Sequence, residues 1–437
     1  MLNDKDILST ILNNLSKIIR GPIVAIFILY FISPVEQGYW YVFQSLMVFV
    51  VLGDIGISKI VTLKISEYKS ISTSSTSRLD FLAITKDNSS FILISFLLFL
   101  VLILLTSILL SVVVLWIFQE WPSGIKTAWI YCSIFSSFSL LNSLQSSIYY
   151  GSGLVTRKNI LEICLGISFS LSVVILLYLN FGLYSLIYSV LFSTIFSHLI
   201  FYKFYNKNFK KIWKYGSFRN GFQILIKTKT LQINYALTTI SSLFVTSLIV
   251  PITMKVFNPI LAGQLGFSLF VMSSIYSFSL IFDYIKYPVI LNLVNQKKFK
   301  KLYSLIKQIF GISNILLVIG CLIFYLFIEY IPTEFLEIKN RILPYDYLIL
   351  IFFFNIININ IGIIASLVRA FHVEPYWKMG FLKVFTTSIL FYIVYVTNSL
   401  KIFLALDLVI LLLIFLPLTL FIGKKQLKII YNNKHVS

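Results

Sequence analysis

Among the charged side chains inside or beside the long apolar runs of this 437-residue chain, nine are candidates for chemistry: Lys17, Arg20, Asp54, Glu162, Lys255, Asp283, Lys286, Arg369 and Asp407. A charge in hydrocarbon is costly, so such residues face a bundle interior or a water-filled path, pair with one another, or reach toward headgroups. The chemistry open to them is electrostatic: cations can hold an anionic group, and carboxylates can hold a proton or a metal cation. Lys17 and Arg20 stand three residues apart and therefore share one helix face. Gly21-Pro22 follows at once, where the missing backbone N–H favours a kink. A basic pair beside a broken helix suits a phosphate. Asp54 lies 16 residues beyond Gly38, roughly 24 Å along a helix, at a depth similar to that of Arg20. An Arg20–Asp54 ion pair therefore competes with a role for either in substrate or proton binding. Asp283 and Lys286 repeat the three-residue spacing and could neutralise each other. The substrate-binding candidates are Lys17, Arg20, Lys255, Lys286 and Arg369; the ion-coupling candidates are Asp54 and Asp283. Lys17, Arg20, Lys286 and Arg369 also lie close enough to helix ends to snorkel.

Catalytic patterns of soluble enzymes are missing, and no catalytic residue is assigned. The chain has no Gly-x-x-x-x-Gly-Lys-Ser/Thr phosphate loop. His198, His372 and His435 are scattered without metal-ligand spacing. Cys132, Cys164 and Cys321 fall in three different apolar segments and read as small core residues. We expect no enzyme activity, no metal and no bound cofactor, with coupling to a proton or sodium gradient left open. The polar start Met1 to Asp6 does not have the form of a cleaved signal peptide.

The elements that must position these charges follow from composition. Hydrophobic residues make up 58% of the chain and charged ones only 12%, against about 25% in a soluble domain. Apolar runs at about 12–33, 39–63, 91–118, 127–150, 159–180, 183–203, 231–256, 262–290, 306–331, 344–368, 379–398 and 400–423 are each long enough to span a bilayer. Lys and Arg crowd alternate loops: Lys64 to Lys86, Arg157-Lys158, Lys203 to Arg219, Lys297 to Lys301, and Lys424 to Lys434. The opposite loops carry only Lys126, Lys339, Arg341 and Lys401, with Lys255 near a helix end, against Glu36, Glu120, Glu329, Glu334, Glu337 and Asp346. The positive-inside rule puts both termini in the cytoplasm and accounts for the net charge of +20 without nucleic acid. The basic stretch Phe201–Thr230 fits a linker along an anionic leaflet. The expected organisation is an all-α membrane protein of about twelve spans: an N-terminal six-helix bundle over 1–204, a cytoplasmic linker over 205–229, a C-terminal six-helix bundle over 230–423 and a cytoplasmic tail over 424–437. A Pro-x-x-x-Gly spacing shared by Pro34/Gly38 and Pro259/Gly263, with Asp54 and Asp283 farther on, suggests a duplication. The aromatic clusters Tyr39-Trp40-Tyr41 and Tyr376-Trp377 read as interfacial belts.

The stretch Ile32-Ser33-Pro34-Val35-Glu36-Gln37-Gly38-Tyr39-Trp40-Tyr41, followed by Gly53-Asp54-Ile55-Gly56, resembles the first hairpin of Wzx-type O-antigen flippases. These belong to the MOP superfamily, with MATE exporters and MurJ-type lipid flippases. The resemblance implies a MATE-like pair of six-helix bundles around a central cavity, working by alternating access in the bacterial inner membrane. It implies transfer of undecaprenyl-diphosphate-linked O-antigen repeat units to the periplasmic leaflet, for lipopolysaccharide biosynthesis. Membrane lipids, an O-antigen polymerase and a chain-length regulator are the implied partners. Two other readings stay open: a MATE-like small-molecule exporter and an O-antigen polymerase. The longest outer loop, roughly 329–347, is short for a polymerase. The loop over 65–88 lacks the Gly-x-x-x-Asp-Arg/Lys pattern of twelve-span facilitators of the MFS type.

Overall fold

A computed structural model describes residues 4–71, 86–296, 298–330, 339–371 and 375–432. Arg78, Lys297, Glu334, Glu337, His372, Lys434 and His435 from the sequence reading lie outside these residues. The described residues are almost all helical, joined by short turns, with no strand among them. Ten helices are long and apolar enough to cross a membrane, and a bent pair, Pro34–Asp54 with Ile57–Ser66 at 51°, raises this to eleven. The expected fourth span divides into two short helices at Phe138. Ser136 and Ser137 at that point both donate to the carbonyl of Ser133, a back-bonding pattern that bends helices. Leu104, Leu105, Ile108, Leu109 and Val112 are each more than half exposed. In water that stripe would be an aggregation site; in hydrocarbon it is a lipid-facing surface. The chain is a multi-pass membrane protein.

The chain folds into two compact units, residues 1–20 with 31–248 and residues 21–30 with 249–437. In the first unit the helices are the N-terminal part of α1 (Asp4–Phe31), α2 (Pro34–Met47), α3 (Ile57–Ile71), α4 (Lys86–Ile117), α5 (Ser123–Ser137), α6 (Ser139–Gly151), α7 (Val155–Tyr178), α8 (Tyr184–Tyr215), α9 (Phe218–Lys227) and α10 (Lys229–Ser247). The core gathers Val61, Phe91, Ile94, Phe99, Ile103, Leu140, Leu144 and Tyr149. The expected belt Tyr39-Trp40-Tyr41 is a correction: all three residues are buried, Trp40 completely. Beside them Phe43 packs edge-on to Trp129 with centroids 5.0 Å apart, so this segment packs against protein and not at a lipid interface.

The Ser33-Pro34 turn is a helix start. Ser33 Oγ accepts from the Glu36 amide, the Glu36 carboxylate accepts from the Ser33 amide, and Pro34 occupies the first helical position, where its lack of an N–H costs nothing. The second unit repeats the device. Asn258 Oδ1 accepts from the Leu261 amide at 2.8 Å, and Pro259 opens the next helix.

The second unit holds the rest of α1 together with α11 (Ile249–Val256), α12 (Pro259–Ser279), α13 (Ile281–Asn295), α14 (Phe299–Glu329), α15 (Tyr345–Arg369), α16 (Trp377–Thr397), α17 (Leu400–Ile410) and α18 (Leu416–Asn432). A π-helical segment, Leu411–Phe415, joins α17 to α18. Its core includes Ile290, Ile309, Leu317, Ile359 and Ile363. Arg341 Nη1 donates to the carbonyl of Leu29 at 2.9 Å, tying the far end of α1 to the loop before α15. The expected weak point at Gly21-Pro22 lies inside α1, at the residue where the division between the two units falls. α1 is helical from Asp4 to Phe31 with Pro22 inside it, where the proline removes one backbone hydrogen bond from the ladder.

Candidate functional site

The polar face of α1 pairs with α7 as a ladder. Asp6 accepts from Thr156 Oγ1 at 2.6 Å. Asn159 Nδ2 donates to Ser9 and to Thr10, each at 3.0 Å. Asn13 Nδ2 donates to Glu162 at 2.7 Å, and Lys17 Nζ reaches the same carboxylate at 3.0 Å. Lys158 completes the carboxylate's shell at 2.9 Å. Successive rungs on α1 are three or four residues apart, the spacing that keeps side chains on one face. Glu162 is thus the hub of the ladder, and Lys17 is an ion-pair partner of a neighbouring helix.

Arg20 is the next rung and differs from the others. Its Nε donates to the Ser16 carbonyl at 2.9 Å, which fixes the plane of the guanidinium. The fork lies over Gly166, one turn beyond Glu162. A Cβ on that glycine would sit 0.8 Å from Nη1 and 1.9 Å from Cζ, so any side chain there would displace the guanidinium from this seat. Among the described residues Nη1 and Nη2 have no acceptor in the protein, and no ion pair joins Arg20 to Asp54. The competing Arg20–Asp54 pairing is therefore not formed. A planar fork with a fixed orientation and two free donors is the group that recognises phosphate bidentately.

Asp54 does a different task. The second helix tightens into 3-10 geometry over Val48–Asp54, then breaks where Ile55 (φ 46°) and Gly56 (φ 74°) both enter the left-handed region. Asp54 Oδ1 accepts from the Ser58 amide at 2.8 Å, capping α3 after the break. Gly53 is wedged there: a Cβ would meet Thr106 Cγ2 at 2.4 Å and Leu140 Cδ1 at 2.9 Å. A cavity of about 80 Å³ opens beside the break, lined by Asp54, Lys59, Thr239 and apolar neighbours including Val51, Ala236 and Ile240. That volume holds one to a few waters. The backbone argument predicts that Gly56→Val destabilises the protein by about 1–3 kcal/mol, while Ile55→Gly is neutral or stabilising. Thermal denaturation of the purified variants checks the pair.

In the second unit Asp283 is buried just past the α12–α13 break at Leu280 and bonds Ser366 of α15. Lys286 lies over the Phe282 ring, 5.6 Å from its centroid, so Asp283 and Lys286 do not neutralise each other as their spacing allowed. Lys255 and Arg369 are exposed near the ends of α11 and α15. The structure thus joins Lys17 and Arg20 in one ladder, sets Asp54 at a separate break, and places Lys255, Asp283, Lys286 and Arg369 in the second unit.

Three features escaped the sequence reading. Lys383 of α16 pairs with Asp407 of α17; the signal was a lysine inside an apolar run, with Asp407 available to match it. Asn314 and Asn360 exchange hydrogen bonds of 3.0 and 3.3 Å between α14 and α15. Gly166 was legible only as a glycine four residues past Glu162. His198 Nδ1 pairs with Gln145 Nε2 at 2.7 Å, while its buried Nε2 has no hydrogen-bond partner among the described residues.

No family model and no curated protein matches this chain. Solved structures do. An inward-facing multidrug resistance MATE family transporter of the MOP superfamily aligns at TM-score 0.67 and 12% identity, covering 96% of each chain. An outward-facing structure with the same description aligns at 0.60 and 12%, covering 98% of this chain and 96% of the other. A MOP superfamily transporter from Pyrococcus furiosus Vc1, described as having a binding pocket of reverse polarity, aligns at 0.55 and 13%, covering 97% and 95%. Coverage of nearly the whole chain by all three shows that this protein has the MATE fold of the MOP superfamily transporters.

Proposed function

We propose that this chain is an alternating-access transporter that flips an undecaprenyl-diphosphate-linked O-antigen repeat unit from the cytoplasmic to the periplasmic leaflet of the bacterial inner membrane. The observation that carries the reading is Arg20: a guanidinium held by Ser16, cradled over Gly166, with both terminal nitrogens free for an anion. Moving a bare diphosphate through hydrocarbon is prohibitive, so a flippase needs a cation of this kind within its transmembrane segments. Glu162 binds Lys17 and Lys158 directly and attracts Arg20 from beyond hydrogen-bond reach, so the terminal nitrogens of Arg20 keep their donors for a ligand. A proton or sodium gradient coupled through Asp54 or Asp283 fits the reading; transport that persists after the gradient is collapsed would remove it. Membrane lipids, an O-antigen polymerase and a chain-length regulator are the partners this function calls for, and no nucleic acid is involved.

The test is complementation of a strain lacking its own O-antigen flippase but keeping the matching repeat-unit synthesis. The expected result is long-chain O-antigen with the wild-type chain and at least about tenfold less with Arg20→Ala, the loss of charge-assisted hydrogen bonds to a diphosphate. Unchanged O-antigen with Arg20→Ala at equal membrane level would sink the assignment of Arg20. The multidrug transporters among the structural neighbours support a second reading, small-molecule export. Drug resistance conferred without any change in O-antigen would favour it.

A further inference from the structure

Between the spanning part of α8 and the span that begins in α10, α9 lies against the start of α4. Gly221 sits so close that a Cβ would stand 2.3 Å from the Ser90 carbonyl oxygen, and the Ser217 amide donates to Ser90 Oγ at 2.8 Å. This docking fixes which way each stripe of the helix faces. Gly221, Ile224 and Leu225 turn toward the core. Phe218, Phe222 and Ile226, four residues apart, form a second stripe exposed at 59%, 46% and 48%. The rings of Phe218 and Phe222 stack nearly parallel, at 6° and 6.3 Å. Arg219, Gln223 and Lys227 form a third stripe, also exposed, beside the second.

An apolar stripe bordered by a basic one is the form of a helix lying in a membrane interface, rings toward the acyl chains and cations at headgroup level. The charge is one-sided. From Phe201 to Thr230 the chain carries eight basic residues, Lys203, Lys207, Lys210, Lys211, Lys214, Arg219, Lys227 and Lys229, and no acidic one. The positive-inside rule accounts for basic residues on this side of the membrane, but not for two of them set on α9 next to its exposed apolar stripe.

We propose that α9 is a docking site for anionic phospholipid, with Phe218 and Phe222 inserted among the acyl chains and Arg219 and Lys227 on the headgroup phosphates. The site is independent of the transported substrate. It gives the protein a preference for an anionic leaflet at the junction between its two halves of sequence.

Photoactivatable phosphatidylglycerol and phosphatidylcholine probes in lipid discs test this, by quantifying labelled peptides over residues 214–230 against those of the lipid-facing stripe of α4. The expected result is labelling of α9 at least roughly fivefold greater with the anionic probe, the effect of a single cation near an anionic surface. Arg219→Gln with Lys227→Gln removes that excess and leaves phosphatidylcholine labelling unchanged. Phe218→Ser with Phe222→Ser lowers labelling by both probes, while unchanged α4 labelling reports intact insertion. Should the serine pair fail to insert, the glutamine pair, on exposed side chains, decides alone. Equal labelling by the two probes, or an anionic excess that survives the glutamine pair, overturns the proposal.

Discussion

Gly166→Leu is expected to reduce O-antigen export as far as Arg20→Ala does, at an unchanged level in the membrane. The argument is steric first. Even the first atom of a side chain at 166 would stand 0.8 Å from Arg20 Nη1, so the guanidinium must leave its seat. Arg20 is a flexible side chain, and moving its far end costs the fold little. The loss falls on recognition: the bond from Nε to Ser16 and the fork geometry disappear together. A charge-assisted hydrogen bond contributes about 1.5–3 kcal/mol, so losing the oriented fork weakens binding of a diphosphate by roughly ten- to hundredfold. Arg20→Lys sharpens the test, because lysine keeps the charge and lacks the planar fork. It should restore only part of the function. If Gly166→Leu exports normally while Arg20→Ala does not, Arg20 acts from some other seat. If both export normally, the diphosphate is held elsewhere.

The spans were legible because a helix in hydrocarbon must be long and apolar, and eleven of the twelve expected runs meet that rule individually or as a bent pair. The Ser33-Pro34 start was also visible, since caps demand particular residues locally, whereas the break at Gly53-Asp54-Ile55-Gly56 lay inside the run over 39–63 that reads as one span. The α1–α7 ladder was not. Each rung joins residues some 150 positions apart, and nothing local in α1 announces which helix its polar face will meet. Tyr39-Trp40-Tyr41 was misassigned for a related reason. Lipid tails are as apolar as leucine, so an aromatic run facing lipid and one facing another helix have the same hydropathy. Lys383 escaped because a single lysine barely alters the hydropathy of its run, whereas its meaning lies in Asp407 on the next helix.

Removing one partner of that pair gives the largest expected loss of stability. Lys383 and Asp407 belong to helices that both meet the requirements of a membrane span, and their side chains are only 14% and 12% exposed. Phe415 and Phe354 place their rings 5.1 and 5.7 Å from the ammonium, contributing cation–π attraction and excluding water. Asp407→Ala leaves Lys383 charged among aromatic rings, and breaking a buried pair in this way costs about 3–5 kcal/mol. Lys383→Met with Asp407→Leu together should melt close to wild type, since well-packed apolar replacements of a buried pair are often neutral or better. Heating the detergent-solubilised variants and following the surviving monodisperse fraction separates the cases. Asp407→Ala melting with wild type would mean that Lys383 reaches water or a headgroup. The double variant then reports on transport. If it is stable yet fails to export, the pair serves the conformational cycle, and the π-helical turn at Leu411–Phe415, one turn past Asp407, is where that motion would be absorbed.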